Sequence, residues 1–221
     1  VPYRDDHEDP DALLAAAARE AAPLVYIANP DNPMGTWWPA SKMQAMIEAM
    51  PSDSVLCLDE AYVEFAPEGT APEIDPDDPR VVRMRTFSKA YGMAGMRVGY
   101  AIATQRMIAA FNKVKNHFGM NRIALVGAAT SLEDRDWIPQ IRARVEAARG
   151  RIGEIAAKNG LSVLPSATNF VAVDCGRDGD FAKAVLSALI ERGVFVRMPF
   201  VEPENRCIRV SAGTPEMLDA F

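Results

Sequence analysis

The sequence predicts an α/β architecture: a mostly parallel sheet flanked by helices, with a smaller α+β unit at the C-terminal end. Three observations predict it. Short apolar runs alternate with helical patterns over the first hundred residues, the rhythm of strand–helix–strand units. Residues 122–159 then read as mostly helical, with Arg, Glu and Ala interleaved. After Gly160 the period changes again, to short strands around one helix.

Taken in order, Asp9-Pro10-Asp11 ahead of Ala12-Leu13-Leu14-Ala15 is a capped helix start, with proline where a missing N–H costs nothing. Residues 24–28 form a short apolar run of buried-strand type, a helical pattern follows over 39–50, and the apolar run 55–58 delivers Asp59 at its end. Met43, Met46 and Met50 recur at helical spacing and read as core filler. Residues 81–86 and 98–103 are further strands, and 67–79 is a proline-rich acidic loop. In the helical stretch Pro139 marks a break, and Gly127, Gly150 and Gly153 mark weak points. Strands are predicted at 161–164, 169–173, 194–197 and 207–210, with a helix at about 180–192. A domain change inside the helical stretch divides the chain into a large unit, 1–135, and a small one, 136–221.

The 221 residues carry 24 basic and 30 acidic side chains, a net charge of −6, with 49% apolar and 24% charged residues. That composition supports a real core and excludes a charge-dominated disordered chain. An acidic chain has no overall positive field for a phosphate backbone, so nucleic acid is not an expected partner. Cys57, Cys175 and Cys207 are odd in number and widely spaced, and read as buried thiols in a reducing compartment, the cytoplasm. No apolar run reaches membrane-spanning length, and residues 1–6 lack the basic-then-apolar pattern of an export signal. With no starting methionine, the chain is expected to begin inside a longer protein. His7 and His117 are too few and too separated for a metal cluster, so no metal is expected. Phosphate-loop, Gly-x-Ser-x-Gly and Gly-x-Gly-x-x-Gly motifs do not occur, which removes nucleotide-motor, serine-hydrolase and dinucleotide readings.

Three polar clusters fall where predicted strands end, the edge at which open α/β sheets assemble ligand sites. In Asn29-Pro30-Asp31-Asn32-Pro33-Met34-Gly35, two prolines and a glycine make a rigid turn that presents an amide in a fixed direction. Asp59-Glu60-Ala61-Tyr62 follows a strand too apolar to leave a carboxylate unpaired, so Asp59 should meet a bound partner or an internal base. The third cluster runs from Thr86 to Tyr100. In it Thr86, Ser88 and Arg97 can hold a phosphate, glycines permit close backbone approach, and Lys89 is an amine beside the anion. Singly, these patterns also describe a surface turn, a strand-end cap and a solvated loop lysine.

Together they match one coenzyme, pyridoxal 5′-phosphate. Its aldehyde needs an amine such as Lys89, and its phosphate needs Thr86, Ser88 and Arg97. Its ring nitrogen needs an acid such as Asp59, and its ring hydroxyl needs donors such as Asn32 and Tyr62.

In order and wording, Asn-Pro-x-Asn-Pro-x-Gly, Asp-Glu-Ala-Tyr-x-x-Phe and Thr-x-Ser-Lys-x-x-Gly-x-x-Gly-x-Arg-x-Gly-Tyr resemble the fold-type I aminotransferases of class I/II, most nearly the histidinol-phosphate branch. The resemblance runs the length of the chain. It implies that Lys89, Asp59 and Tyr62 are catalytic, that Asn32, Thr86, Ser88 and Arg97 help hold the coenzyme, and that the enzyme is a homodimer. It nominates Arg209 for the substrate carboxylate, with Arg197 and Asn169 as further substrate contacts. The implied reaction moves an amino group from histidinol phosphate or an aromatic amino acid to a 2-oxo acid such as 2-oxoglutarate. A decarboxylase of a phosphorylated amino acid and a non-catalytic sensing module reuse the same scaffold and stand as alternatives. Met34 replaces the family's usual threonine. The family's N-terminal phosphate loop and ring-stacking aromatic have no counterpart upstream of Lys89, so the N-terminal part of the fold is expected to be missing.

Overall fold

The computed structural model describes residues 1–73 and 75–221; Ile74, in the predicted proline-rich loop, lies outside the described residues. The first sheet has strands β1 (Leu24–Ala28), β2 (Val55–Asp59), β3 (Val81–Thr86) and β4 (Gly99–Ile102) in that order. β1–β2 and β2–β3 are parallel and β3–β4 antiparallel, so the sheet is mixed, with an antiparallel edge. Helices α1 (Pro10–Glu20) and α2 (Ala40–Glu48) cover one face. The two-residue alternation of β1 and β2 explains this: Val25, Ile27, Leu56 and Leu58 point inward with Val81 and meet Ala17, Met43, Met46, Ile47 and Met50. The methionines are core filler, as their spacing indicates. Leu24, Tyr26 and Met84, on the opposite face, are exposed.

Helix starts follow their caps. The Asp9 carboxylate accepts from the amides of Asp11 and Ala12, with Pro10 opening α1. Asn121 caps α4 (Arg122–Glu133) and Asp178 caps α6 (Gly179–Glu191). Between β4 and α4 lies a helix absent from the sequence reading, α3 (Gln105–Val114). None of its residues is buried, yet Met107, Phe111 and Val114 recur at i, i+4 and i+7, an amphipathic pattern that the sequence carries.

The predicted helical stretch divides at 134–136, where the Asp134 carboxylate accepts from the amides of Asp136 and Trp137 and opens α5 (Trp137–Lys158). Pro139 is therefore not the break. It sits in the first turn of α5, where the N–H it lacks has no helical acceptor. Gly127, Gly150 and Gly153 lie within intact helices.

The second sheet is antiparallel, β5 (Ser162–Val163), β6 (Phe170–Asp174) and β7 (Cys207–Ser211) in that order, packed with α5, α6 and α7 (Pro215–Ala220). The strand expected at 194–197 is a single bridge between Arg197 and Arg209. Pro199, at the next hydrogen-bonding position, has no N–H with which to extend the ladder, and Gly193 at φ 80° turns the chain ahead of the run. Cys175 and Cys207 are buried as expected, whereas Cys57 is only half-buried because its side chain lies on the open face of β2; all three are free thiols. A third cluster, Tyr62, Phe65, Ala90, Val145 and Phe170, joins the two sheets through α5.

Candidate active site

The site gathers where β1, β2 and β3 end. After β1 the turn 29–35 is held internally: the Asn29 side chain donates to the Trp38 carbonyl (3.0 Å) and accepts from its amide (2.8 Å), and Asp31 accepts from the Met34 amide (3.0 Å). Gly35 has φ 83°, and a Cβ there would stand 2.7 Å from Ser166 Oγ, so only glycine fits. This frame leaves Asn32 exposed, with Oδ1 accepting from Arg209 Nη1 at 2.5 Å.

After β2, Asp59 Oδ1 accepts from the Ala61 amide (2.9 Å) and Oδ2 from the Tyr26 hydroxyl (2.7 Å). The expected internal base is absent among the described residues; a phenol and a backbone amide serve instead. Tyr62 is buried, its ring edge-on to Phe170 at 5.4 Å, and Lys89 Nζ lies 5.0 Å from its centroid. Lys89 has no carboxylate partner among the described residues. Arg209 lies 4.8 Å from the Phe170 ring, so Lys89, Tyr62, Phe170, Arg209 and Asn32 form one continuous set of contacts. Burial, reinforced by Arg197, pulls the Arg209 guanidinium below its ordinary value, while Tyr62 acts in the opposite direction.

Thr86 and Ser88 follow β3, and the Thr86 hydroxyl accepts from the Ser88 amide at 3.1 Å. Arg97 is exposed on the same connection, at φ 55°, and donates to the Ala94 carbonyl at 2.8 Å. Arg197 is exposed, 5.7 Å from the Phe195 ring, and Asn169 uses its carbonyl to accept from the Ala212 amide (2.8 Å). A groove of about 990 Å³ runs beside the site, walled by Tyr3, Asn32, Phe195, Arg197 and Arg209.

Several residues escaped the sequence reading. Tyr26 touches Asp59 only through strand pairing. Tyr3 donates to Asp31 at 2.7 Å, and burial raises the Asp31 carboxyl to about 6 against the pull of its donors. Glu60 is fully buried with Oε2 2.8 Å from both Arg83 Nε and Arg85 Nε, and Oε1 unpartnered among the described residues. Its place on the inward face, next to Leu58 in the alternation, was the available signal.

Lys89, Tyr62, Phe170, Arg209 and Asn32, linked by contacts that cross from one sheet to the other, define a class of protein. The chain belongs to the aminotransferase class I and II family, whose profile matches residues 1–221, and it has the fold-type I architecture of that family. It is 37% identical over 216 residues to histidinol-phosphate aminotransferase 2 of Pseudomonas aeruginosa, covering 96% of this chain and 58% of that protein. The crystal structure of histidinol-phosphate aminotransferase from Sinorhizobium meliloti in complex with pyridoxal-5′-phosphate superposes with a TM-score of 0.96 at 52% identity, over 100% of this chain and 61% of that one. L-threonine-O-3-phosphate decarboxylase from Porphyromonas gingivalis, 23% identical with a TM-score of 0.71 over 90% of this chain and 62% of that one, shares the fold. The chain thus spans about three-fifths of the length of these relatives.

Proposed function

We propose that the protein is a pyridoxal 5′-phosphate-dependent aminotransferase that moves an amino group from histidinol phosphate or an aromatic amino acid to a 2-oxo acid such as 2-oxoglutarate. The observation that carries this reading is the Arg209–Asn32 bond, which ties a carboxylate-binding guanidinium to the amide that would face the coenzyme ring. The donor set fits the coenzyme: an amine without a carboxylate partner among the described residues, a carboxylate with spare lone pairs, and two hydroxyls on the connection that also carries Arg97.

When bound, the coenzyme supplies an aldehyde that condenses with amines and a ring that accepts the electron pair released at the substrate α-carbon. Lys89 Nζ would anchor it and would also be the amine placed to move the substrate α-proton, so one side chain would serve as anchor and as acid/base. Asp59 holds the proton on the ring nitrogen. Tyr62 and Asn32 orient the ring hydroxyl, and Thr86, Ser88 and Arg97 hold the phosphate. Arg209 grips the substrate carboxylate, with Arg197 and Asn169 farther along the substrate.

We further propose two units, 1–135 and 136–221, a cytoplasmic location supported by three free thiols, and a homodimer. No described helix is long and apolar enough to cross a membrane. Val114, Phe118 and Ile123, on α3, α4 and the segment between them, form an exposed apolar surface of the kind a partner subunit or the rest of the fold covers. The decarboxylase reading has less support, since the named phosphothreonine decarboxylase shares the fold alone. The test screens amino donors against 2-oxoglutarate with added coenzyme, measuring glutamate and carbon dioxide. Glutamate formation, lost in Lys89→Ala together with the absorbance of lysine-bound coenzyme, is the expected result. Full turnover by Lys89→Ala, or carbon dioxide without glutamate, refutes the proposal.

A further inference from the structure

Tyr26 touches the site directly and has no part in the scheme above. On β1 it pairs with Cys57, and Ala28 pairs with Asp59, so Tyr26 and Asp59 are diagonal neighbours on one face. The small Ala28 leaves space over the carboxylate, and the Tyr26 ring reaches across it. The result is one donor for each oxygen of Asp59, the Ala61 amide on Oδ1 at 2.9 Å and the Tyr26 hydroxyl on Oδ2 at 2.7 Å. With both oxygens held, the carboxylate cannot turn about its Cβ–Cγ bond, and each keeps a lone pair for an incoming N–H. Burial, then the bond to Asp59, pushes the Tyr26 phenol up, so it remains a donor throughout the neutral range.

We propose that Tyr26 is a positioning residue that fixes the plane of the Asp59 carboxylate and draws off part of its negative charge. The inference rests on the reading above, in which Asp59 receives the ring nitrogen. The hydroxyl is not what anchors the strand, because β1 is held from the other face by Val25 and Ile27. Replacing tyrosine by phenylalanine therefore removes the donor and leaves the strand's anchor intact.

The experiment measures coenzyme dissociation constants, thermal midpoints and the pH midpoint of bound-coenzyme absorbance for the native protein, Tyr26→Phe, Asp59→Ala and the double variant. Asp59→Asn replaces Asp59→Ala if the alanine protein does not fold. Tyr26→Phe is expected to weaken coenzyme binding about tenfold, the scale of a hydrogen bond to a charged group. It is also expected to move the absorbance midpoint upward, because a less dispersed negative charge holds the chromophore's proton more tightly. On the Asp59→Ala background the same substitution should change affinity less than about twofold, as coupled pairs behave. Equal losses on both backgrounds, or no loss and no spectral shift in Tyr26→Phe alone, overturn the proposal. Undiminished coenzyme affinity in Asp59→Ala instead removes the assignment of Asp59 to the coenzyme.

Discussion

Glu8 offers a test of the electrostatics beneath the site turn. Its Oε2 accepts from the Ala28 amide at 2.8 Å, and no cation pairs with it among the described residues. Burial raises its carboxyl from 4.5 to about 8, with Asp31 adding to the rise and the Ala28 amide opposing it. Between those values the folded chain holds a proton that the unfolded chain has released, so stability falls as pH rises through the window and levels off above it. The full difference corresponds to on the order of 4–5 kcal/mol at 1.36 kcal/mol per tenfold. Glu8 keeps partial solvent contact beside the exposed turn at Asp5, so about half of that, ~2 kcal/mol, is expected. Glu8→Gln abolishes the ionisation and retains an oxygen for the Ala28 amide. At about pH 4.5 the variant and the native protein should unfold within ~0.5 kcal/mol of each other; at about pH 9 the variant should be ~2 kcal/mol more stable, some 4–8 °C in thermal midpoint. Equal midpoints at both pH values, or a variant that is weaker at the higher pH, would refute the reasoning.

Two further substitutions probe the site's supports. Glu60→Ala leaves Arg83 and Arg85 without their shared carboxylate and should cost about 3–5 kcal/mol in denaturant unfolding, as removal of one partner from a buried ion pair does. A loss below ~1 kcal/mol would mean that water or another acid takes its place. Arg209→Lys keeps the charge but loses the fork that reaches Asn32 and a carboxylate together; it should raise KM for the amino donor at least about tenfold. Steady-state kinetics with KM unchanged would detach Arg209 from the substrate.

The first sheet was legible because its apolar runs alternate cleanly and end in Asn, Pro and Asp, and α1 because Asp9 and Pro10 mark its start. The site was legible because Asp59, Tyr62, Thr86, Ser88 and Lys89 sit in contiguous runs at strand ends, where backbone direction alone groups them. What sequence could not show depends on register or on distance along the chain. Tyr26 reaches Asp59 only because β1 and β2 pair as they do, and Tyr3 reaches Asp31 only once the first residues fold over the turn. The run 194–197 has strand composition, yet Gly193 and Pro199 restrict it to one bridge. Helix α3 differs from these: Met107, Phe111 and Val114 give it a helical period that is in the sequence, although none of its residues is buried.

The Asn32–Arg209 bond closes a loop of 177 residues. During synthesis the turn bearing Asn32 leaves the ribosome long before its guanidinium partner is made, and Phe170 and β7 must dock before Arg209 can arrive. The Asn32–Arg209 contact is therefore absent while the first sheet is taking shape and forms only once β7 has paired with β6. Cleavage ahead of β7 would remove Arg209 and leave the Asn32 amide without its partner.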